Sequence, residues 1–580
     1  MDEVITALTQ GSEFLLEPGL WVLCIIGFTV GVVVGALPGI GLTLTYGLAL
    51  PFTFHMSPVY AVAFLLSISV GGQYGNSIPA IVMGLPGSPA AVLTVSDGYA
   101  LHRQGKTGLA LGTQLVAAFT GQVISVFFFV LLVVPLSGLA YNFLAPELFA
   151  LYLVGMLAII SLTGKSMVKG LIAAAIGVAV GLIGLDPVGA TLRFDFGLRE
   201  LRNGVDTAPV LIGLLAVSEL FRQARQTFSW SELSTDFDAK FPPWREMRKL
   251  WPYITLGTIT GTIVGAIPGA GTTPATLISY QQAQMLSKTP EQFGRGSTQG
   301  IAANEAAQNA SNAGELIPTL GFGIPASGSS ALLLAALSIQ GFVPGPQLVQ
   351  NQPEMVAAAV AGMFAGSILI LLTGWWQCKL LLRAVGINRA AVIVLSLALV
   401  ILGVFALQFR LFDVIVCLVF GVLGYFMLRY GFPPAAAALA AILSSDFERT
   451  FRQGLSLTHN DPVAFVTRPL TAIILLFAVG VAIYGFGSQH RMRRLDAKAE
   501  AILAAAEEEE RRQMAAYTGA AVDGEPSAAP VADPDQADAT PPSAAPPSAG
   551  PPDGPAPPRD GADPPADAGE GQDPNREGGP

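Results

Sequence analysis

Apolar positions along this chain gather into long uninterrupted runs, and a run of about 20 residues is what a helix needs to cross a bilayer. Such runs lie near 19–37, 42–70, 107–135, 146–163, 166–185 and 207–222. A second series follows near 253–280, 329–345, 355–384, 390–407, 411–429 and 433–445, with a last run at 468–486. The stretch from Thr107 to Leu136 has room for one tilted helix or two short ones, so about 12 spans are expected.

Polar and helix-breaking residues interrupt this pattern at related places. Gly71 to Ala91, GGQYGNSIPAIVMGLPGSPAA, sits among apolar segments. Its Pro79, Pro86 and Pro89 each remove a backbone donor, and Gly71, Gly72, Gly75, Gly84 and Gly87 weaken a helix further. The stretch reads as an interrupted hairpin. Opened backbone is tolerated at membrane depth only where it is buried in protein or faces a water-filled cavity, so the break points to a binding site. A related stretch returns at Ile317 to Ser327, where IPTLGFGIPAS matches IPAIVMGLPGS of Ile78 to Ser88 at five of eleven positions, at an offset of 239.

A second pair of breaks lies upstream of each hairpin. Gly27 to Gly41, GFTVGVVVGALPGIG, and Gly257 to Gly271, GTITGTIVGAIPGAG, are identical at eight of fifteen positions, at an offset of 230. Gly27, Gly31 and Gly35, like Gly257, Gly261 and Gly265, line one helix face and admit a close neighbour. Pro38-Gly39-Ile40-Gly41 and Pro268-Gly269-Ala270-Gly271 then end each helix inside the apolar region, with a restart at Thr43 or at Thr272 and Thr273. The expected fold is an all-α polytopic membrane protein made of two homologous repeats with broken helices and re-entrant hairpins. The expected division is a first membrane repeat over 1–222, a basic linker over 223–252, a second repeat over 253–455 and an extra transmembrane helix over 456–490. An exposed charged helix over 491–517 and a disordered Pro/Ala/Asp-rich tail over 518–580 complete it.

Composition agrees: 52% of residues are hydrophobic, 12% are charged, and the mean hydropathy is +0.55. The net charge of −10 comes from acidic residues in the final ninety positions and near the first run, not from the membrane body. Cys24, Cys378 and Cys417 lie in apolar runs without metal-like or redox-like spacing and read as small core residues. Arg222, Arg225, Lys240, Arg245, Arg248 and Lys249 make the linker cytoplasmic by the positive-inside rule, and Arg491, Arg493 and Arg494 put the C-terminal tail there too. The Lys- and Arg-free start, with Asp2, Glu3, Glu13 and Glu17, is the wrong leader for a cleaved signal peptide and belongs in the periplasm. The repeats are then expected to be inverted. Arg193, Arg199 and Arg202 run against this assignment, offset by Asp186, Asp195, Glu200 and Asp206.

The breaks suggest anion chemistry. Half-helix N-termini at the hairpin tips present amides to a negative group, with Gly87 and Ser88 in one half and Ala326 and Ser327 in the other. Neither hairpin holds a Lys or Arg, so an anion there meets amides and hydroxyls; Arg103 and Lys106 belong to the cytoplasmic loop that follows. A second candidate is the polar run Asn304 to Glu315, in which Glu305, Asn309 and Asn312 share one helix face. That face fits either Na⁺ or proton coupling or an interhelical hydrogen-bonding seam. The first half offers Ser67, Ser69, Gln73, Tyr74, Asn76 and Ser77 there, without a carboxylate.

The paired GALPGIG and GAIPGAG breaks, the YGNSIPAIVMGLPGSPAA and SDGYALHRQGKTGLALG runs, and the NEAAQNAS to LGFGIPASGSSALLLAAL run resemble the large permease subunit, the TctA family, of tripartite tricarboxylate transporters, over about 15–486. The resemblance implies a multi-pass permease of the bacterial inner membrane that imports citrate or a related tri- or dicarboxylate by Na⁺ or H⁺ symport. It also implies two partners, a small TctB-like membrane subunit and a periplasmic TctC-like binding protein, and no cofactor beyond the coupling ion. Carried over by residue, the pattern marks Gly39, Gly41, Ser77, Pro86, Gly87, Ser88, Glu305, Asn309, Pro325 and Ser327. Two positions depart from it: Asn76 and Ala326 stand where the family usually has glycine. The expected substrate set is these break residues with Gly269 and Gly271, and the expected cation set is Glu305, Asn309 and Asn312. The alternatives are an anion channel or a permease for another organic acid, such as an aromatic carboxylate. No GxxxxGK[ST] or HExxH motif occurs, and His55, His102, His459 and His490 are scattered, which argues against an ATPase or hydrolase; nothing points to nucleic acid.

Overall fold

The computed structural model describes residues 2–37, 41–163, 166–186, 188–225, 241–384 and 389–483. Pro38, Gly39 and Ile40 of the first break, residues 226–240 of the basic linker, and the expected charged helix and tail lie outside the described residues. The chain divides at Met514, and the second unit, Ala515–Pro580, is wholly among the latter.

The first half contains α1 (Asp2–Phe14), α2 (Pro18–Gly35), α3 (Leu42–Thr53), α4 (Pro58–Gly75), α5 (Ser77–Met83), α6 (Thr107–Tyr141), α7 (Ala145–Thr163) and α8 (Met167–Gly181). The second contains α9 (Trp251–Gly265), α10 (Thr272–Leu286), α11 (Thr298–Phe322), α12 (Gly328–Ile339), α13 (Pro353–Ala384), α14 (Arg389–Gln408), α15 (Leu411–Arg429) and α16 (Pro434–Leu457), and α17 (Pro469–Ile483) follows. Between the halves, Thr207–Leu211, Ile212–Val217 and Ser218–Ala224 form one helical segment with a π-wound middle. Among the described residues, the sole sheet is a two-residue bridge of Gly184–Leu185 with Leu192–Arg193. Four helical stretches, α2, α6, Pro353–Cys378 of α13, and α15, are long and apolar enough to cross a membrane on their own. Cys24, Cys378 and Cys417 are buried free thiols.

Glycine sets the closest contacts. A Cβ on Gly31 would sit 2.2 Å from the Ile68 carbonyl oxygen, and one on Gly35 would sit 2.5 Å from that of Gly72. The second half repeats this: Cβ atoms on Gly257, Gly261 and Gly265 would lie 2.3, 2.3 and 2.6 Å from the carbonyl oxygens of Ala303, Ala307 and Ser311. Gly71 and Gly75, read from sequence as helix-weakening, lie inside α4 and return the contact to the Phe28 and Val32 carbonyls. They are packing residues of an intact helix. Both pairs, α2 with α4 and α9 with α11, therefore run parallel with backbone against backbone.

That parallel course corrects the expected spans. The Tyr60 hydroxyl donates to Glu17 at 2.8 Å, which puts the start of α4 beside the start of α2. The chain must return between them, and α3 carries it back, so 42–70 is two helices of opposite direction and not one span. Pro58 at the first turn of α4 sets the division. Likewise 253–280 is a V: Thr260 donates to Gln282 at 2.9 Å, so α10 folds back on α9. Two further corrections concern length: α6 is one helix of 35 residues, and α16 extends to Leu457, well beyond the 445 expected.

The hairpins also begin later than expected. Asn76 keeps helical dihedrals, so α4 and α5 form one arm from Pro58 to Met83, and α11 runs unbroken through Ile317 to Phe322. Both arms end on a left-handed glycine, Gly84 at φ 70° and Gly323 at φ 73°, a conformation that costs glycine least. Leu85 and Ile324 then donate their N–H groups to the carbonyls of Pro79 and Pro318.

Ion pairs tie the periphery together at the ends of the outer helices. Arg452 meets Asp186 at 2.9 Å, Arg193 meets Glu448 at 2.9 Å, and Arg468 meets Glu147 at 2.9 Å. Arg193 finds its nearest acid, Glu448, on α16, while two of the expected offsetting pairs are also present, Arg193 with Asp186 at 3.9 Å and Arg202 with Asp195 at 3.8 Å. Amides of Val188 and Gly189, with the Arg452 guanidinium, hold the Asp186 carboxyl at about 2, below the usual carboxylate range.

Gly31→Ala and Gly261→Ala should each destabilise the protein by about 1–3 kcal/mol through overpacking. Gly480→Ala, with no atom within 4 Å of its Cβ, should not. Thermal unfolding of the detergent-purified protein checks this, and equal midpoints for all three would show that backbone contact does not hold the pairs.

Candidate substrate and cation site

α11 is buried from Gly300 to Gly321 yet carries Asn304, Glu305, Gln308, Asn309, Ser311, Asn312, Glu315 and Thr319. It starts at Ser297, whose hydroxyl accepts the Gly300 N–H at 3.1 Å. A polar helix without water must find its partners in protein. α11 finds them by crossing the α4–α5 arm in the antiparallel sense. Ser69 donates to Asn312 at 2.5 Å, and Gln308 donates to the Gln73 carbonyl at 2.6 Å and to Asn76 Oδ1 at 2.8 Å.

Around the first hairpin the chain crowds onto the early turns of α11. Thr94 donates to Glu305 Oε1 at 2.5 Å, while Asn304 donates to Thr94 at 2.8 Å and to the Ala90 carbonyl at 3.4 Å. Ser77 is 3.2 Å from the Gln308 amide nitrogen. Gly87 is buried, its N–H donates to the Asn76 carbonyl at 3.0 Å, and a Cβ on it would lie 2.5 Å from the Gly35 carbonyl. Oxygens in this region lack donors: Ser88 Oγ, Asn304 Oδ1, Glu305 Oε2, Gln308 Oε1 and Asn309 Oδ1 are buried without a hydrogen-bond partner among the described residues. Pro89–Ala91, just past this tip, packs against α10.

The second hairpin tip is chemically different. Ser327 caps α12, its hydroxyl accepting the Ser330 N–H at 3.3 Å while Ser330 Oγ accepts the Ser327 N–H at 2.8 Å. The amides expected to be free at this tip are thus partly satisfied by the chain itself. Ser327 also donates to Glu315 Oε2 at 2.6 Å. On its other side Glu315 faces Thr272, at 3.4 Å, which opens α10 and receives Gln73 at 3.2 Å and Ser311 at 3.1 Å. Gly269 and Gly271 adopt left-handed φ values of 79° and 67°, and the Gly269 N–H donates to the Ala326 carbonyl at 2.9 Å. Gly41 precedes α3, whose Thr43 lies 3.0 Å from where a Cβ on Gly328 would be. Thr43, Gly271, Thr272 and Ser327 are half-buried, as are Pro86 and Ser88, whereas Pro325 is buried.

The expected site residues therefore fall into two groups, one about each hairpin tip, apart from Gly39, which lies outside the described residues. Asn309 turns its amide back to the Glu305 carbonyl at 3.0 Å, and Asn312 bonds Ser69 and Gln122 between helices. Two residues escaped the sequence reading. Glu315 was noticed only as the end of a polar run. Asp97 was quoted but given no role. Its Oδ1 accepts the N–H groups of Gly294, Gly296 and Ser297 at 2.8, 3.0 and 2.8 Å, and its Oδ2 accepts the Tyr280 hydroxyl at 2.7 Å. A lone acid in an apolar run was the available signal.

Broken helices meeting on a buried polar crossing, inside a helical body with membrane-length apolar helices, are features of membrane transport proteins. The chain belongs to the tripartite tricarboxylate transporter TctA family, which it matches over residues 21–439. The family is an inner-membrane permease, and membership implies tricarboxylate transport in a tripartite system with TctB and TctC partners. The chain is 34% identical over 490 residues to an uncharacterized 52.8 kDa protein in the TAR-I ttuC′ 3′ region of Agrobacterium vitis, covering 83% of this chain and 96% of that one. It is also 34% identical over 220 residues to an uncharacterized protein in the TAR-II ttuC′ 3′ region of the same organism, covering 37% of this chain and 89% of that one. No solved structure matches the chain.

Asp97→Ala strands three backbone donors and should cost at least about 2 kcal/mol, whereas Tyr280→Phe removes one hydroxyl and should cost about 1 kcal/mol. Thermal unfolding with limited proteolysis at 287–297 checks the order; a milder effect of Asp97→Ala would count against the clamp.

Proposed function

We propose that this chain is the permease subunit that imports citrate or a related tri- or dicarboxylate by symport with Na⁺ or H⁺, receiving substrate from a periplasmic binding protein. One observation carries the reading: Ser88 Oγ at the first hairpin tip and Glu305 Oε2, behind it against Thr94, are both buried without a hydrogen-bond partner among the described residues. The hydroxyl and tip amides suit a substrate carboxylate, and the carboxylate suits a cation. Gly39, Gly41, Asn76, Ser77, Pro86, Gly87 and Ser88 form the substrate seat in one half. Gly269, Gly271, Pro325, Ala326 and Ser327 form it in the other, and Glu305, with Asn309 and Asn312 on the same face, serves the cation.

The halves act as inverted repeats in this reading. Support comes from contacts that recur at the sequence offsets of 230 and 239: Gly31 on Ile68 and Gly261 on Ala307, Gly75 on Val32 and Gly314 on Thr262. The antiparallel crossing of α4 and α11 supports the inversion. Exposed Arg225, Arg245, Arg248 and Lys249 support a cytoplasmic linker, with the N-terminus periplasmic and the tail cytoplasmic. The domain division at 222, 252, 455 and 490 follows from this scheme.

Coupling answers an energetic need. Each negative charge moved inward against 100 mV costs about 2.3 kcal/mol, so a trivalent anion faces roughly 7 kcal/mol before any concentration gradient. Cotransported cations cancel that charge.

In proteoliposomes holding the permease with its small subunit and binding protein, Ser88→Trp and Ser327→Trp should each abolish carboxylate uptake while leaving membrane insertion intact. Normal uptake by both would remove the tips from the substrate path. Glu305→Gln should alter the Na⁺ or pH dependence of uptake, measured by varying each cation separately; an unaltered response would take Glu305 out of coupling.

A further inference from the structure

Helix α11 bears a second buried carboxylate. Glu315 lies ten residues beyond Glu305, about 15 Å along the axis. The two acids therefore serve different hairpins: Glu305 meets Thr94 behind the first tip, and Glu315 meets Ser327 at the second. Glu315 is buried, and among the described residues no Lys, Arg or His forms an ion pair with either acid. The titratable group that faces Glu315 from a neighbouring helix is the Tyr46 phenol of α3.

The surroundings of Glu315 are oxygen-rich. Ser327 Oγ and Thr272 Oγ1 touch its two carboxylate oxygens, Ser329 Oγ lies 2.9 Å from Ser327 Oγ, and Ser311 Oγ lies 3.1 Å from Thr272 Oγ1. Hydroxyls and one carboxylate make a donor set for a hard monovalent cation, and a buried negative charge without a cationic neighbour needs one. Position matters as well. At the 239 offset the residue that corresponds to Glu315 is Asn76, which is neutral. The first half thus offers an amide where the second offers an acid. Moreover, the Glu315 carboxylate already holds the Ser327 hydroxyl that an incoming carboxylate would use at that tip, and like charges exclude each other there.

We propose that Glu315, with Thr272, Ser311, Ser327 and Ser329, is a second monovalent-cation seat, and that its neutralisation by Na⁺ or a proton opens the second hairpin tip to a substrate carboxylate. This rests on the symport reading above and deepens it: two carboxylates on one helix, one per hairpin, set a coupling of at least two cations per turnover.

The test is cation-dependent uptake in the reconstituted three-component system, with sodium replaced by choline at fixed pH and, separately, pH varied at fixed sodium. Wild type should respond cooperatively to one of the two cations, with a Hill coefficient of about 2, falling to about 1 in Glu315→Gln and in Glu305→Gln. Glu315→Asp, which keeps the charge, should retain cooperativity with a shifted midpoint. A Glu315→Gln protein that keeps the wild-type cooperativity overturns the proposal; if Glu305→Gln still loses it, the symport reading stands. A non-cooperative wild type overturns it too, and absence of any cation response in wild type sinks both. Should Glu315→Gln fail to transport, the same titrations are read as thermal stabilisation of the purified variants. Stabilisation by the cation that equals wild type then overturns the proposal, and a reduced, non-cooperative stabilisation supports it.

Discussion

A helix enclosed by protein on every side cannot leave its polar side chains to water, and this constraint organises the whole body around α11. Eight polar residues between Asn304 and Thr319 are buried there, and all but Asn309 and Thr319, which bond back to their own helix, meet a side chain or carbonyl of another segment. Gln308 draws the bend between α4 and α5, Asn304 and Glu305 draw the segment after the first hairpin, and Glu315 draws the second hairpin and the restart of α10. The apolar helices outside need only fill volume. Placement of the second break and of both hairpins follows from the hydrogen bonds that a buried polar helix demands.

The two halves use the same geometry for different chemistry. Left-handed Gly84 and Gly323 end equivalent arms, and Ser88 and Ser327 precede the next helical turn in each. The residues around those shared points diverge. Gly87 admits the Gly35 carbonyl where Ala326 presents a methyl, and Asn76 is neutral where Glu315 is acidic. A duplicated backbone with unlike side chains suits a carrier that must bind one anion and more than one cation. A strictly symmetric pair of seats would bind the same thing twice.

Much of this was legible in the sequence because membrane burial leaves a coarse signal. Pro268, Gly269 and Gly271 located the second break, and glycines every four residues located the close faces, since no other residue tolerates a carbonyl at 2.3 Å. Direction was not legible. An apolar run such as 42–70 looks the same whether it crosses once or doubles back, and the parallel contacts of α2 with α4 and the Tyr60 to Glu17 bond show that it returns. Gly71 and Gly75 misled for a related reason: the same residue loosens an exposed helix and tightens a packed one. Asp97 was missed because its partners, the Gly294 to Ser297 loop, lie about two hundred residues away, and Glu315 because the turn that brings Ser327, twelve residues on, back against it leaves no mark in the spacing.

The glycine faces carry a mechanical corollary. Where α2 lies on α4, and α9 on α11, main chain touches main chain with no side chain between to change rotamer. Neither pair can slide or roll by a fraction of a turn without driving a carbonyl oxygen into an α-carbon. Each V and its central arm therefore travel as one stiff strut, and any rearrangement that alternates access has to be taken up at the seams made by longer side chains, above all the amide ladder where the two struts cross.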